Sequence, residues 1–239
     1  MSKYVLGKKG VLDNIKQNKI STVYLKHDFP ELLELKKKIN FNICYKKDNH
    51  FYSVFDGNHQ FVIGELKENN FYNNFNSFIS DINSINSERK IIIMLDGIQD
   101  PGNFGAIIRT CSCFGVDGII YKKMNQVQIN DTVIKTSVGA ISHVKMLSVS
   151  NLSNVIIKLK ESGYWVLSSC LDDKSVDLNS SKFDFEKICL ILGNENNGIS
   201  KVVLDNSDLK LKIPMSIGSV QSLNVSVSLG ILLYAIIYK

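Results

Sequence analysis

The stretch IIIMLDGIQDPGNFGAIIRT, residues 91–110, decides how the rest of the chain is read. Residues 91–95 form an unbroken apolar run of strand length, the pattern of a parallel strand buried on both faces. Residues 103–114 then read as a helix, with Ala106, Ile107, Thr110 and Phe114 on one side and Gly115 placed to stop it. Strand, polar loop and helix in this order are one half of a parallel α/β unit. In such sheets ligands bind beyond the carboxyl ends of the strands, where residues 96–102 fall. Arg109 sits on this element and is one of two arginines, with Arg89, among 28 basic residues. Lysine supplies a point charge, whereas arginine supplies a planar fork matched to phosphate or carboxylate. Arg109 is therefore a site candidate, against the plain alternative of a surface charge.

Downstream the same alternation continues. Strands are predicted over 118–121, 143–149, 164–169, 188–192 and 209–213. Helices are predicted over 133–141, 152–161, 200–205 and 223–238, with Gly163 closing the second of these. The fold class is α/β with a parallel sheet. The last helix is strongly apolar, but its 16 residues include Asn224, Ser226 and Ser228. A bilayer span needs about 20 mostly apolar residues, so this segment reads as a buried helix and no membrane association is expected.

Upstream, residues 67–89 are rich in Asn and Ser and only weakly periodic, which reads as a linker with a short helix over 78–85. The chain accordingly divides into a small domain over 1–68, a linker over 69–88 and a larger domain over 89–239. Within the first, helices are expected over 11–17 and 32–39 and strands over 22–25 and 61–66. Hydrophobic content of 44% with 21% charged residues is that of a globular protein. The net charge of +5 is spread over both halves and is compatible with a polyanionic partner without proving one. Five cysteines (Cys44, Cys111, Cys113, Cys170, Cys189) form no CxxC pair, and no signal peptide is visible. Free thiols, a reducing cytoplasmic setting and no metal site are expected.

Several chemistries lack their signatures. There is no GxGxxG after the first strand, no P-loop and no GxSxG elbow. Polar groups on glycine-hinged loops are present instead. Leu192-Gly193-Asn194-Glu195 ends a strand with an acid, and Gly193 and Gly198 allow close approach of backbone. A turn carrying a solvated Glu195 is the competing explanation. Ile213-Pro214-Met215 leads through Gly218 to Ser222-Leu223-Asn224 at the start of the last helix. Ser222 suits an N-cap there. Asn224, polar in an apolar helix, must find partners or face a site.

Three segments in this order, DGIQDPGNFGAIIRT, LILGNENNGIS and IPMSIGSVQSLNVSVSLGILLYA, resemble the three motifs of the SpoU (TrmH-type) RNA ribose methyltransferases, of the SPOUT class. The resemblance spans about 150 residues from Arg89 onward. YVLGKKGVLDNI and Gly57-Asn58-His59-Gln60 resemble the small RNA-recognition domain of the branch that methylates a guanosine in 23S ribosomal RNA, although Phe61 stands where that branch has glycine. Ser137-Val138-Gly139-Ala140 replaces the family's SAGA, a departure expected to be core variation.

The resemblance implies a deep trefoil knot in the larger domain, a homodimer with sites near the interface, and S-adenosyl-L-methionine as cofactor. Leu192, Gly193, Ile213, Met215, Ser222 and Leu223 match cofactor-binding positions, and Asn103, Arg109, Glu195, Ser222 and Asn224 match the catalytic set. The implied reaction is 2′-O-methylation of a guanosine ribose in 23S ribosomal RNA. Transfer RNA is the alternative substrate, and a non-catalytic RNA-binding or ribosome-assembly protein is a reading of another class. The intact polar set argues against the last.

Overall fold

A computed structural model describes residues 4–17, 19–49, 51, 59–66, 70–172, 175–179, 183–195, 197–216 and 222–238. Strand β6 (Lys90–Asp96) is buried along its whole length, as its run of isoleucines requires. Its neighbours are β7 (Gly118–Lys122) on one side and β11 (Lys187–Gly193) on the other. The sheet extends through β8 (Lys145–Val149) to β5 (Phe71–Tyr72) at one edge. At the other it extends through β9 (Trp165–Ser169) and β12 (Leu209–Lys212) to β10 (Val176–Asp177). The strand order is β10-β12-β9-β11-β6-β7-β8-β5, and every pairing among these described strands is parallel. The parallel α/β architecture is as expected.

Alternate residues of β6 feed two cores. Ile91, Ile93 and Leu95 join one with α4 (Pro101–Cys113), α5 (Asp131–Thr136) and α8 (Val225–Tyr238). Ile92 and Met94 join the other with α3 (Phe75–Asn83), α6 (Leu152–Glu161) and α7 (Lys201–Asp205). Helix α4 buries Phe104, Ile107, Ile108 and Cys111. Of the expected inward set, Ile107 is buried and Phe114 packs half-buried against the same core, whereas Ala106 and Thr110 are only half-buried and Phe104, Ile108 and Cys111 take the inward positions. Helix α8 is not buried throughout. Val227, Ile231, Tyr234 and Tyr238 lie exposed along one side. No helix among the described residues is long and apolar enough to cross a membrane.

The four-stranded second sheet runs β1 (Tyr4–Leu6), β4 (Val62–Leu66), β2 (Ile20–Leu25), β3 (Asn42–Tyr45). It packs with α1 (Lys8–Lys16) and α2 (Pro30–Lys38) around its own core of Val11, Ile15, Val23, Leu25 and Leu32. Strands β1 and β3 were not expected, since three or four residues carry too little alternation to be seen.

Two further expectations are corrected. Residues 69–88 are not merely a linker: β5 pairs with β8, and Phe78 and Ile82 of α3 are fully buried against the larger sheet. The short helix expected over 78–85 forms, but starts three residues earlier with Phe75, Phe78, Ile79 and Ile82 at helical spacing, and Asn74 is its N-cap, accepting from the backbone of Asn76 and Ser77. The helix expected over 133–141 stops at Thr136 and resumes as a 3-10 turn over Ala140–Ser142. Between them Val138 is 68% exposed at φ 51°, so the departure from SAGA is not core variation. A β-branched residue in the left-handed region is strained.

Candidate active site

Three strand ends meet at one edge of the parallel sheet. Asp96 closes β6, Gly193 closes β11 and Lys212 closes β12. Parallel register aligns Gly193 with Asp96, so the loops that leave these strands start side by side. A cavity of about 540 Å3 lies there. Leu192, Gly193, Ile213, Met215, Ser222 and Leu223 all line it, and so do Glu195 and Asn224. The sequence had separated these residues by up to 32 positions.

Beside the cavity the polar residues are joined in a chain. Asn224 Nδ2 donates to Asn103 Oδ1 at 2.9 Å, and Asn103 Nδ2 donates to Glu195 Oε1 at 2.9 Å. One residue from each motif segment is thus linked. Asn103 is delivered by the first turn of α4, whose N-cap Asp100 accepts from the Asn103 backbone at 2.6 Å. Pro101 at the following position suits the helix start. Asn224 Oδ1 accepts from Ser226 N at 2.9 Å and Ser226 Oγ at 2.7 Å, so it caps α8 as well as joining the chain. Ser222 was the expected cap. It lies exposed in the cavity lining instead, since α8 begins only at Val225.

Arg109 is not brought into this cluster. It is exposed and absent from the cavity lining. Six positions along a helix carry it about 9 Å down the axis and about 120° around it from Asn103. Arg89, the other arginine, has a structural task, its guanidinium donating to the Ile236 carbonyl near the end of α8.

Several supporting residues were missed. Asp96 is buried and accepts from Ser200 N at 2.8 Å, Ser200 Oγ at 2.6 Å and Lys122 Nζ at 3.1 Å. Burial opposes its charged form, yet the Ser200 bonds and the Lys122 ammonium hold its pKa below the ordinary carboxylate value. Gln126 Oε1 receives the backbone N–H groups of Gly97 and Ile98. Asn194 Nδ2 donates to Gly97 O at 2.7 Å. Gly193 is needed for close approach, because a Cβ there would sit 2.2 Å from the Gly198 carbonyl carbon. The one signal that could have marked this corner is the glycine directly after the strand, Gly97, which adopts φ 85°.

In the smaller sheet Gly57 and Asn58 lie outside the described residues. His59 is buried, its Nδ1 accepting from Phe61 N at 3.0 Å, and its pKa is lowered by burial. Gln60 Oε1 accepts from Lys8 N at 3.1 Å. Phe61 adopts φ 53°, the left-handed conformation that explains why glycine suits this position better.

Comparison with known proteins agrees with this geometry. Residues 90–234 match the SpoU rRNA Methylase family. An uncharacterized tRNA/rRNA methyltransferase of Mycoplasma genitalium is 44% identical over 200 residues, covering 83% of this chain and 81% of its own. The chain belongs to the SpoU rRNA Methylase family. An AdoMet-bound rRNA methyltransferase from Sinorhizobium meliloti superposes with a TM-score of 0.78 at 22% identity, covering 98% of this chain and 86% of that one. The TrmH/SpoU tRNA modifying enzyme of A. aeolicus is 31% identical with a TM-score of 0.55, covering 62% of this chain and 75% of that one.

Proposed function

We propose that the protein methylates RNA at a ribose 2′-hydroxyl using S-adenosyl-L-methionine, and that its target is a guanosine of 23S ribosomal RNA. The observation that carries this reading is the bonded chain Glu195–Asn103–Asn224 beside a cavity lined by residues of the second and third motif segments. The cavity fits the cofactor in size and chemistry. Leu192, Ile213, Met215 and Leu223 offer apolar walls, and the glycine-hinged turn at Gly193 and Gly198 brings backbone groups close.

The cofactor supplies a methyl group already activated on a sulfonium. The chain must align the hydroxyl, whose proton passes to solvent as its oxygen takes the methyl group. Alignment alone contributes up to roughly 7–11 kcal/mol, and Asn103 and Asn224, each fixed by a second bond, suit that task. Glu195 and Ser222 shape the pocket. Arg109 grips the adjacent phosphate and stabilises alkoxide charge, since a guanidinium of pKa above about 12 is a poor base.

The small sheet over 4–66 serves as an RNA-recognition domain suited to reading shape and splayed bases. In the same reading the larger body carries the trefoil knot that the family resemblance implies. A cytoplasmic homodimer follows from the same reading. The exposed stripe Val227, Ile231, Tyr234 and Tyr238 on α8 is self-complementary in character, and Arg109 on the adjoining α4 then reaches a site completed at the interface.

The deciding experiment is transfer of labelled methyl from S-adenosyl-L-methionine to unmodified ribosomal and transfer RNA, with Asn103→Ala alongside. Incorporation into one 23S guanosine, lost in the variant, is expected. Incorporation into transfer RNA alone would overturn the ribosomal assignment. None into either RNA would favour a binding protein on the same fold.

A further inference from the structure

Asp96 is a carboxylate at 4% exposure that the reaction as described does not use. Its three hydrogen bonds add side-chain ties, beyond the strand ladders, to both neighbours of β6 at this end. Ser200 closes the loop after β11, and Lys122 ends β7. Two further ties meet at the same corner, from Asn194 Nδ2 to Gly97 O and from the backbone of Gly97 and Ile98 to Gln126 Oε1. The corner 96–98 is therefore held from the β11 loop on one side and from the β7 loop on the other.

A buried ion pair is weak as a stability device, since apolar residues of similar volume serve as well or better. What the Asp96 cluster does supply is registry. Between its two ends lie the groups that must be placed: Glu195 on the β11 loop, and Asn103 seven residues beyond Asp96. The cavity-lining residues Asn194, Glu195, Asn197, Gly198 and Ile199 belong to the loop that Ser200 anchors.

We propose that Asp96 is a positioning residue: through Ser200 it locks the loop after β11 onto the end of β6, which preforms the cofactor cavity and sets Glu195 against Asn103. The inference rests on the cavity being the cofactor site. Preorganisation of this kind appears in cofactor affinity, because a loop that samples open positions binds more weakly by the fraction of time it is open.

The test is calorimetric titration of the full chain with S-adenosyl-L-methionine and with S-adenosylhomocysteine, which cannot react. Wild type, Ser200→Ala, Ser200→Thr and Asp96→Asn are compared at a temperature where thermal melts show each folded. Ser200→Ala removes one of two bonds and is expected to weaken both ligands about tenfold, the equivalent of one charge-assisted hydrogen bond. Ser200→Thr, which keeps the hydroxyl, returns to wild-type affinity, and Asp96→Asn weakens binding at least as much as Ser200→Ala. Wild-type affinity in Ser200→Ala and Asp96→Asn overturns the inference, and so does a loss that Ser200→Thr fails to restore. Absence of binding by the wild type overturns the cavity reading itself, and the inference with it.

Discussion

Asn224 does two things with one amide. Its oxygen caps α8 through Ser226, and its nitrogen donates to Asn103. Asn224→Asp keeps the cap, and adds a negative charge where the helix dipole welcomes one, but presents Asn103 with acceptors on both sides. Thermal stability should stay within about 0.5 kcal/mol of wild type while kcat/KM for methyl transfer falls by at least about tenfold. Equal losses in both would show that only the cap matters. Asp96 carries a pH prediction. Its folded pKa is depressed, so its stabilisation is fully present above the unfolded value near about 3.9 and is lost as pH falls through the folded value. Urea unfolding below about pH 5 should therefore show a steeper loss for wild type than for Asp96→Asn. The sequence disclosed Glu195 and Asn224 because each is polar where an apolar residue was expected. It concealed Asp96, which resembles an ordinary acid at a strand end, because the Ser200 that binds it lies 104 positions away.

At the scale of elements, α4 and α5 meet through Gly105. A Cβ there would come 1.8 Å from Thr136 Oγ1 and 2.9 Å from the Val133 carbonyl oxygen. Gly105→Ala should cost about 1–3 kcal/mol of unfolding free energy, and Thr136→Ala in the same chain should restore only part, since the carbonyl does not retreat with the side chain. A neutral Gly105→Ala in denaturant titrations would mean the helices separate easily. Helix α3 shows the opposite relation between composition and structure. Its Asn-rich surroundings read as linker, yet Asn74 is what starts it and Phe78 and Ile82 hold it to the sheet. Replacing Asn74 by Ala is expected to lower stability by about 1 kcal/mol, measurable as a shift in the thermal midpoint. No change would place the segment back among linkers. Long strands and helices were legible because their periodicity repeats. The helix over 133–141 was not, because its break depends on Val138 and Gly139 taking positive φ within a turn.

At the scale of the whole molecule, the exposed α8 stripe is the feature a single chain does not explain. Tyr234 is 58% exposed on a helix whose opposite side is committed to the core. If a second copy covers it, Tyr234→Asp should convert dimer to monomer in analytical ultracentrifugation and abolish methyl transfer while leaving the fold intact by circular dichroism. A wild-type monomer would remove the basis for completing the site at an interface. By itself the sequence determined the alternation of strand and helix, the parallel sheet and the three segments whose glycines and polar residues form the candidate site, since these are encoded in local periodicity and in residue types out of place. Only the tertiary structure decided which face of α4 turns inward, that Asn224 rather than Ser222 caps α8, that Asp96 bonds to Ser200 beside the cavity, and that Arg109 lies outside the cavity lining. Each of these depends on which atoms pack or bond across long stretches of chain, and such distances have no period for a sequence to display.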